Sequence, residues 1–187
     1  MQKKIQKIDT IKKGAVLISM PFLKDEGFFR SVVLICSHSN EGSFGYILNK
    51  KTELFLNDVL AENDVREEIL FEGGPVETNT LHFIHKFEKY LGGEEITDGY
   101  YWGGDYQAAI KTQVYFDTKY VRYFLGYSGW SPGQLEAEIE SNSWIVCHVD
   151  CNFLFETSVD KLWKNLLIEL GGEYKLMSNY PPDPRLN

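Results

Sequence analysis

Along this chain the hydrophobic positions fall in short blocks rather than long periodic stretches. Residues 15–20 and 31–38 are apolar, β-branched runs closed off by proline, glycine or charged residues, as expected of strands buried in a sheet. The segment between them carries Phe22, Leu23, Phe28 and Phe29 and is too apolar for a solvated connector. Glu41-Gly42-Ser43 reads as a turn into 44–49, which makes 31–49 a hairpin. Further strands are expected at 68–72, 80–87, 120–127 and 144–149.

Helices are fewer. Ser131-Pro132-Gly133-Gln134 places Ser at an N-cap, Pro at the first helical position and Gln three residues after the Ser, predicting a helix over 132–141 with Leu135 and Ile139 on one face. Ser158 caps a segment in which Val159, Leu162, Trp163, Leu166, Leu167 and Leu170 form one stripe, stopped by Gly171-Gly172. A third helix is expected at 105–113. At the start, Ile5, Ile8 and Ile11 recur every third residue, which suits either a short amphipathic helix docked on the domain or on a partner, or a frayed end. Residues 173–187 read as an irregular tail, rich in proline towards its end. With neither repeat nor linker, 1–187 reads as one domain with a basic arm at 1–13.

Composition narrows the function. At 187 residues the chain is long enough for one sizeable core, and 43% hydrophobic with 25% charged residues is the ordinary globular mixture, so disordered and low-complexity classes lose support. The net charge of −8 repels nucleic acid and anionic membrane, so direct nucleic-acid binding is disfavoured. Charge is unevenly placed: five lysines against Asp9 give +4 in the first thirteen residues and leave −12 for the rest, so arm and body attract each other. Three cysteines, an odd number, argue against a secreted disulfide scaffold and for a reducing cytoplasm. No apolar stretch approaches the roughly 20 residues of a membrane helix, and no signal-peptide core follows the lysines, so a soluble, unprocessed chain is expected.

Candidate chemistry is sparse. Gly126-Tyr127-Ser128-Gly129-Trp130 fails as a Gly-x-Ser-x-Gly elbow because Trp130 stands where the second glycine belongs, and Ser128 reads as a turn residue. No dinucleotide or Walker A loop is present, and Gly73-Gly74-Pro75 reads as a tight turn whose amides could cradle an anion. His82 and His85 point to opposite faces of a strand, and Cys147 and Cys151 stand about 13 Å apart if extended, so neither a metal nor a cofactor is expected. Arg30, Val32, Leu34, Cys36 and His38 share one strand face, but Arg30 and His38 are separated by about 26 Å along it. Cys36 reads as a core residue or, with a nearby cation, as a reactive thiol.

Several separated motifs, in order, resemble the AlgH/YqgE family of bacterial proteins. They are Gly14, Pro21, Leu23, Asp25 and Phe28, then 31–38, Gly42, Gly45 and Leu48-Asn49-Lys50. Gly73-Gly74-Pro75-Val76, Leu81-His82 and the run 125–136, with Glu138-Ile139 and Trp144, continue the match. The lysine-rich arm, Lys50-Lys51 in place of a common Arg-Pro, and the Pro-rich tail depart from it. The resemblance implies a compact α/β domain of α+β type, with a mostly antiparallel, partly barrel-like sheet flanked by helices, in a cytosolic bacterial protein. It implies no settled activity, although a role as transcriptional regulator is proposed for some members. Asp25, Arg30, His38, Asn49, His82, Tyr127, Trp130 and Gln134 are of the types that anchor ligands or partners, without a nucleophile–base pair at diagnostic spacing. The expected function is therefore binding or regulation through a protein partner or small effector. The alternatives are a small enzyme or metabolite binder using Arg30 with His38 or His82, and a redox-responsive protein acting through Cys36.

Overall fold

The computed structural model describes residues 4–60, 65–112 and 118–181, and among these the chain forms eleven strands and seven helices. The strands are β1 (Ile5–Lys7), β2 (Val16–Ser19), β3 (Val32–Ser39), β4 (Gly42–Ile47), β5 (Lys51–Phe55), β6 (Ile69–Glu72), β7 (Val76–His85), β8 (Glu94–Thr97), β9 (Tyr100–Trp102), β10 (Val121–Trp130) and β11 (Trp144–Val149). The helices are α1 (Leu56–Val59), α2 (Glu88–Leu91), α3 (Tyr106–Thr112), α4 (Gln134–Glu140), α5 (Cys151–Glu156), α6 (Val159–Leu170) and α7 (Gly172–Met177). One sheet runs β1-β11-β2-β3-β4-β10-β7-β9-β8, with β5 paired to β6 and β6 paired to β10. Every ladder is antiparallel except β6 with β10.

The apolar runs form strands because they are covered on both faces. Val16, Ile18, Val32 and Leu34 meet α5 and α6 on one side, where Leu154, Leu162, Leu166 and Leu167 are buried. Leu17, Val33, Ile35 and Val146 meet Leu135 of α4, Trp130 and Trp144 on the other. A third cluster, including Leu56, Leu70, Phe83, Leu91 and Tyr123, fills the β6–β7–β10 end under α1, α2 and α3. The apolar loop after β2 accounts for its aromatics: Phe28 packs 5.8 Å from the Trp130 ring and 5.3 Å from Trp144.

The sheet is not closed into a barrel, since β1 and β8 each have a single hydrogen-bonded neighbour. It curls far enough to bring β8 over the start of β2, and Gly14 at φ 80° leaves room where a Cβ would lie 2.9 Å from Thr97. Among its described residues, from Lys4 onward, the arm forms no helix but the edge strand β1, with Ile5 opposite Val149. Ile5 packs under α6, whereas Ile8 and Ile11 pack on the α4 side, a division across a sheet that one helical face cannot make. Lys3 lies outside the described residues, but Lys13 reaches Glu94 at 3.3 Å and Lys7 donates to the Tyr174 hydroxyl at 2.9 Å, so the basic arm does engage the acidic body. The tail is helical through α7 before turning irregular, and residues 182–187 lie outside the described residues. The helix expected from Pro132 begins at Gln134, because Gly133 sits at φ 75° and cannot be helical. Only the Gln134 half of the capping box is made, with Ser131 N–H donating to Oε1 at 3.0 Å.

Candidate functional site

Four aromatic strands' ends converge on one cleft of about 750 Å³. Phe44 and Tyr46 come from β4, His82 from β7, Trp102 from β9, and Tyr127 and Trp130 from β10. Two backbone irregularities set this convergence. The β7–β10 register slips between Leu125 and Tyr127, the extra residues lying on β7 between Val76 and Leu81, and Gly126, at φ 67°, turns Tyr127 to the side of Phe124 and Tyr46. Beside it the chain crosses itself: Gly73 N–H donates to the Leu125 carbonyl at 2.8 Å, and the Gly73 carbonyl accepts from Ile47 N–H at 2.9 Å and from the Ser128 hydroxyl at 3.0 Å. Ser128 is thus a fully buried strand residue rather than a turn residue, and the Gly73 amide serves the sheet rather than an anion.

The rings in the cleft are fixed against one another. Phe44 stands edge-on to Trp102 at 4.8 Å and to Tyr127 at 6.1 Å, and His82 lies 5.5 Å from the Tyr46 ring and 5.9 Å from Tyr127. Two polar atoms in this wall are buried without a hydrogen-bond partner among the described residues: His82 Nε2 and Trp102 Nε1. Burial lowers the His82 pKa below its ordinary 6.5, opposed by the nearby Glu77 carboxylate, so the ring is neutral at pH 7. Glu77 also lines the cleft, at φ 50°, a left-handed conformation that costs an L-residue on the order of 1 kcal/mol.

The eight residues expected to form one surface separate. His82, Tyr127 and Trp130 line the cleft; the other five do not. Trp130 Nε1 is committed to Glu138 Oε2 at 2.9 Å, which also accepts from Trp144 Nε1 at 2.8 Å, while Gln134 Nε2 donates to Glu138 Oε1 at 3.0 Å. Glu138 therefore locks α4 to the cleft's wall, with Gln134 holding its carboxylate from one turn earlier on the helix. Arg30 and Asn49 line a second hollow beside α6. Arg30 forms no ion pair with Asp25 or Glu26; its guanidinium lies 4.9 Å from the Trp163 ring and donates to the Tyr180 carbonyl, which holds the C-terminal segment. Asn49 accepts from Val32 N–H at 2.8 Å and donates to the Arg30 carbonyl at 2.9 Å, acting as a strand partner where β3 begins. Asp25 caps the short 3-10 turn Glu26–Phe28 by accepting from Gly27 N–H at 2.9 Å.

His38 leaves the face it was expected to share with Cys36. One extra residue, Cys36, bulges between Ile35 and Ser37 against β4 and resets the alternation, so His38 turns to α4 and stands 3.8 Å from Glu136. Its Nδ1 pairs with the Ser43 hydroxyl at 2.8 Å, a contact that follows from their being opposite in the ladder. Arg30 thus lines a different hollow from His82, and the enzymatic combinations are not assembled. Cys36 is fully buried, and burial pushes its thiol pKa well up, which removes the ground for a reactive thiolate. Cys147 and Cys151 are pushed up to about 12 for the same reason. Among the described residues no group of three His, Cys, Asp or Glu side chains is placed to hold a metal, and no helix is long and apolar enough to cross a membrane.

His85 is buried, its Nε2 donating to the Gly103 carbonyl at 3.0 Å and its Nδ1 accepting from Phe87 N–H at 3.0 Å, an arrangement only the neutral ring can make. Burial lowers its pKa below the ordinary 6.5. The unfolded chain therefore takes up protons first on acidification, and stability is full above about pH 6.5 and lost as pH falls below it. We expect the melting temperature to fall between pH 7 and pH 5, and His85→Gln, though less stable at pH 7, to show a shallower decline. An equally steep decline in His85→Gln would place the proton uptake elsewhere.

Sequence reasoning missed Phe44, Tyr46, Glu77 and Trp102. The available signal for Trp102 was the aromatic run Tyr100-Tyr101-Trp102 before Gly103-Gly104.

Fold and cleft together define a single α+β domain, built on one open, mostly antiparallel sheet with an aromatic cleft of ligand size. The chain belongs to the AlgH-like family, whose model matches residues 16–175. A UPF0301 protein of Cytophaga hutchinsonii is 44% identical over 95% of this chain and 100% of its own length, and one of Bacteroides thetaiotaomicron is 40% identical over 94% and 91%. The crystal structure of protein DIP2367 from Corynebacterium diphtheriae has a TM-score of 0.75 at 22% identity, covering 94% of this chain and 95% of that one. The solution structure of the AlgH protein from Pseudomonas aeruginosa has a TM-score of 0.74 at 24% identity, covering 94% and 97%. At these identities the two structures share the fold.

Proposed function

We propose that this chain is a cytoplasmic binding protein without catalytic chemistry, and that its working site is the cleft walled by His82, Tyr127, Trp130 and Trp102. Any effect on transcription would run through a bound effector or a protein partner, because a net charge of −8 opposes contact with DNA. One observation carries the reading: the rings of Phe44, Tyr46, Trp102, Tyr127 and Trp130 line one cleft of ligand size, and behind its surface two polar atoms, His82 Nε2 and Trp102 Nε1, are buried with no partner among the described residues. Such orphans cost about 1–3 kcal/mol each, and a ligand that shifts either ring far enough to expose and pair its nitrogen recovers part of that cost on binding.

The test is a thermal-shift screen of the purified protein against nucleotides, common metabolites, divalent metals and short DNA and RNA duplexes. A ligand at a hundred times its dissociation constant adds about 2.7 kcal/mol, a rise of roughly 5–10 °C for a domain of this size. We expect at least one small molecule to give such a rise, to lose it in His82→Ala, and to keep it in Arg30→Ala, which lies in the other hollow. A rise that survives His82→Ala, or that vanishes in Arg30→Ala, would move the site away from the cleft.

A further inference from the structure

We infer that the occupant of this cleft is a flat nitrogen heterocycle, neutral or positively charged, of the size of a substituted pyridine or a nucleoside, and that its phosphorylated or carboxylated counterparts are rejected. This rests on the cleft being the binding site and adds the chemistry of what enters it.

Charge is the first argument. The cleft lining contains no Lys or Arg, but it contains Glu41 and Glu77. An anionic ligand would meet two exposed carboxylates and no counter-charge, an unpaired arrangement that disfavours it. Glu77 is moreover held at φ 50°, a region L-residues seldom adopt, at the point where β7 leaves the Gly73–Gly74 crossing. Strain kept at a residue that faces a cleft and bears on His82 points to a use for its carboxylate there.

Shape is the second. The faces and edges of Phe44, Tyr46, Trp102 and Tyr127 form the wall, and aromatic surfaces of this kind take flat rings in stacked or edge-on contact and attract cations to their faces. The orphan atoms supply the third. Both nitrogens are closed off in this structure, so a ring must shift to meet a ligand; Trp102 Nε1 can then only donate, to an acceptor on the ligand, and neutral His82 Nε2 pairs with a second polar atom. A nitrogen heterocycle with an amide or amino substituent carries both in its own plane. A quaternary aliphatic ammonium such as choline satisfies the rings and the carboxylates, but its one hydroxyl can pair at most one of the two orphans.

Isothermal titration with ligands matched in ring and differing in charge tests this: nicotinamide, 1-methylnicotinamide and nicotinate, and adenosine against its monophosphate, with choline as the aliphatic cation. We expect at least one neutral or cationic heterocycle to bind, with its anionic counterpart at least tenfold weaker and choline weaker than the heterocycle. Trp102→Phe keeps the ring and removes the N–H, and should weaken that heterocycle about tenfold, the worth of one hydrogen bond. Glu77→Gln should narrow the gap between cation and anion. The inference is overturned if an anionic member binds as tightly as its partner, if choline binds better than every heterocycle, if Trp102→Phe changes nothing, or if no member of the series binds. In that last case the cleft itself is rejected as the site only when the broad screen also yields no shift that depends on His82. Should His82→Ala not fold, Trp102→Phe carries the test alone.

Discussion

Alanine at Gly73 is expected to cost more than about 4 kcal/mol, enough to lower the melting temperature by roughly 8–16 °C or to prevent recovery of folded protein. The cause is space. A Cβ at Gly73 would stand 2.1 Å from the Gly126 carbonyl oxygen and 3.1 Å from the Phe124 Cβ, and the nearer obstacle is backbone that no rotamer change can move. The residue is also pinned on both sides, by its N–H on Leu125 and by its carbonyl under Ile47 and Ser128. Gly126 faces the same crossing from β10, where a Cβ would lie 2.7 Å from the carbonyl oxygens of Gly74 and Val76, at φ 67°. Alanine there should cost as much, and the double variant should cost little more than the worse single, because one breach already opens the crossing. Gly99 is the control: at φ 73° with nothing within 4 Å of its would-be Cβ, alanine should cost only about 1 kcal/mol of torsional strain. Circular-dichroism melts of the four variants decide it, and Gly73→Ala melting within 3 °C of the parent would show that the crossing yields.

Arg122→Ala should destabilise by about 3–5 kcal/mol. This guanidinium is buried, with an exposure of 9%, flat between the Phe71 ring at 4.8 Å and the Phe155 ring at 4.7 Å. Nη1 donates to the Leu48 carbonyl at 3.0 Å and Nη2 to the Phe155 carbonyl at 3.4 Å, so one side chain joins β10 to the end of β4, to β6 and to α5. Alanine leaves a slot between two rings and two carbonyls without donors. Burial lowers the Arg122 pKa to about 10, the mark of a cation held at a desolvation cost. Two further variants separate its contributions. Lysine keeps the charge but is compact and more strongly hydrated, and should lose more than half of what alanine loses. Methionine fills the slot without charge and should recover part of the loss. Full recovery by lysine in chemical denaturation would mean that charge, rather than the flat stacked shape, holds the site.

What could be read from the sequence was what depends on neighbours along the chain. The runs at 15–20, 31–38 and 144–149 are strands because their residues are apolar on both sides, and α6 is a helix because its stripe repeats at helical spacing. The short strands β8 and β9 were not legible: Glu94-Glu95 and Asp98-Gly99 look like a solvated loop, and only the pairing of β9 with β7 makes them sheet. Helix α5 hid behind the Cys147 to Cys151 spacing, although Asp150 caps it by accepting from Asn152 N–H at 2.8 Å. Ile5, Ile8 and Ile11 misled because a three-residue spacing fits a strand followed by a turn as well as a helix. For the site, residue type found His82, Tyr127 and Trp130 but grouped them with Arg30 and Asn49, which sit near the opposite end of the β3–β4 hairpin. The bulge at Cys36 and the left-handed turn of the backbone at Gly126, which decide the direction of His38 and Tyr127, leave no trace in hydrophobic pattern.

The order of the sheet has a consequence for how the chain is made. Strand β10 is the neighbour of β4, β6 and β7 at once, and β11 is the neighbour of β1 and β2. A ribosome releases β1 through β9 before either partner exists, so the nascent chain presents its β2–β3–β4 unit with both outer edges open, and β6 and β7 without the strand that joins them. Such edges invite pairing with other chains, and each closing contact spans a long stretch of sequence, which slows folding. Synthesis of residues 121–149 is therefore the step that commits this protein, and a polypeptide released before it would be a substrate for chaperones rather than a smaller folded domain.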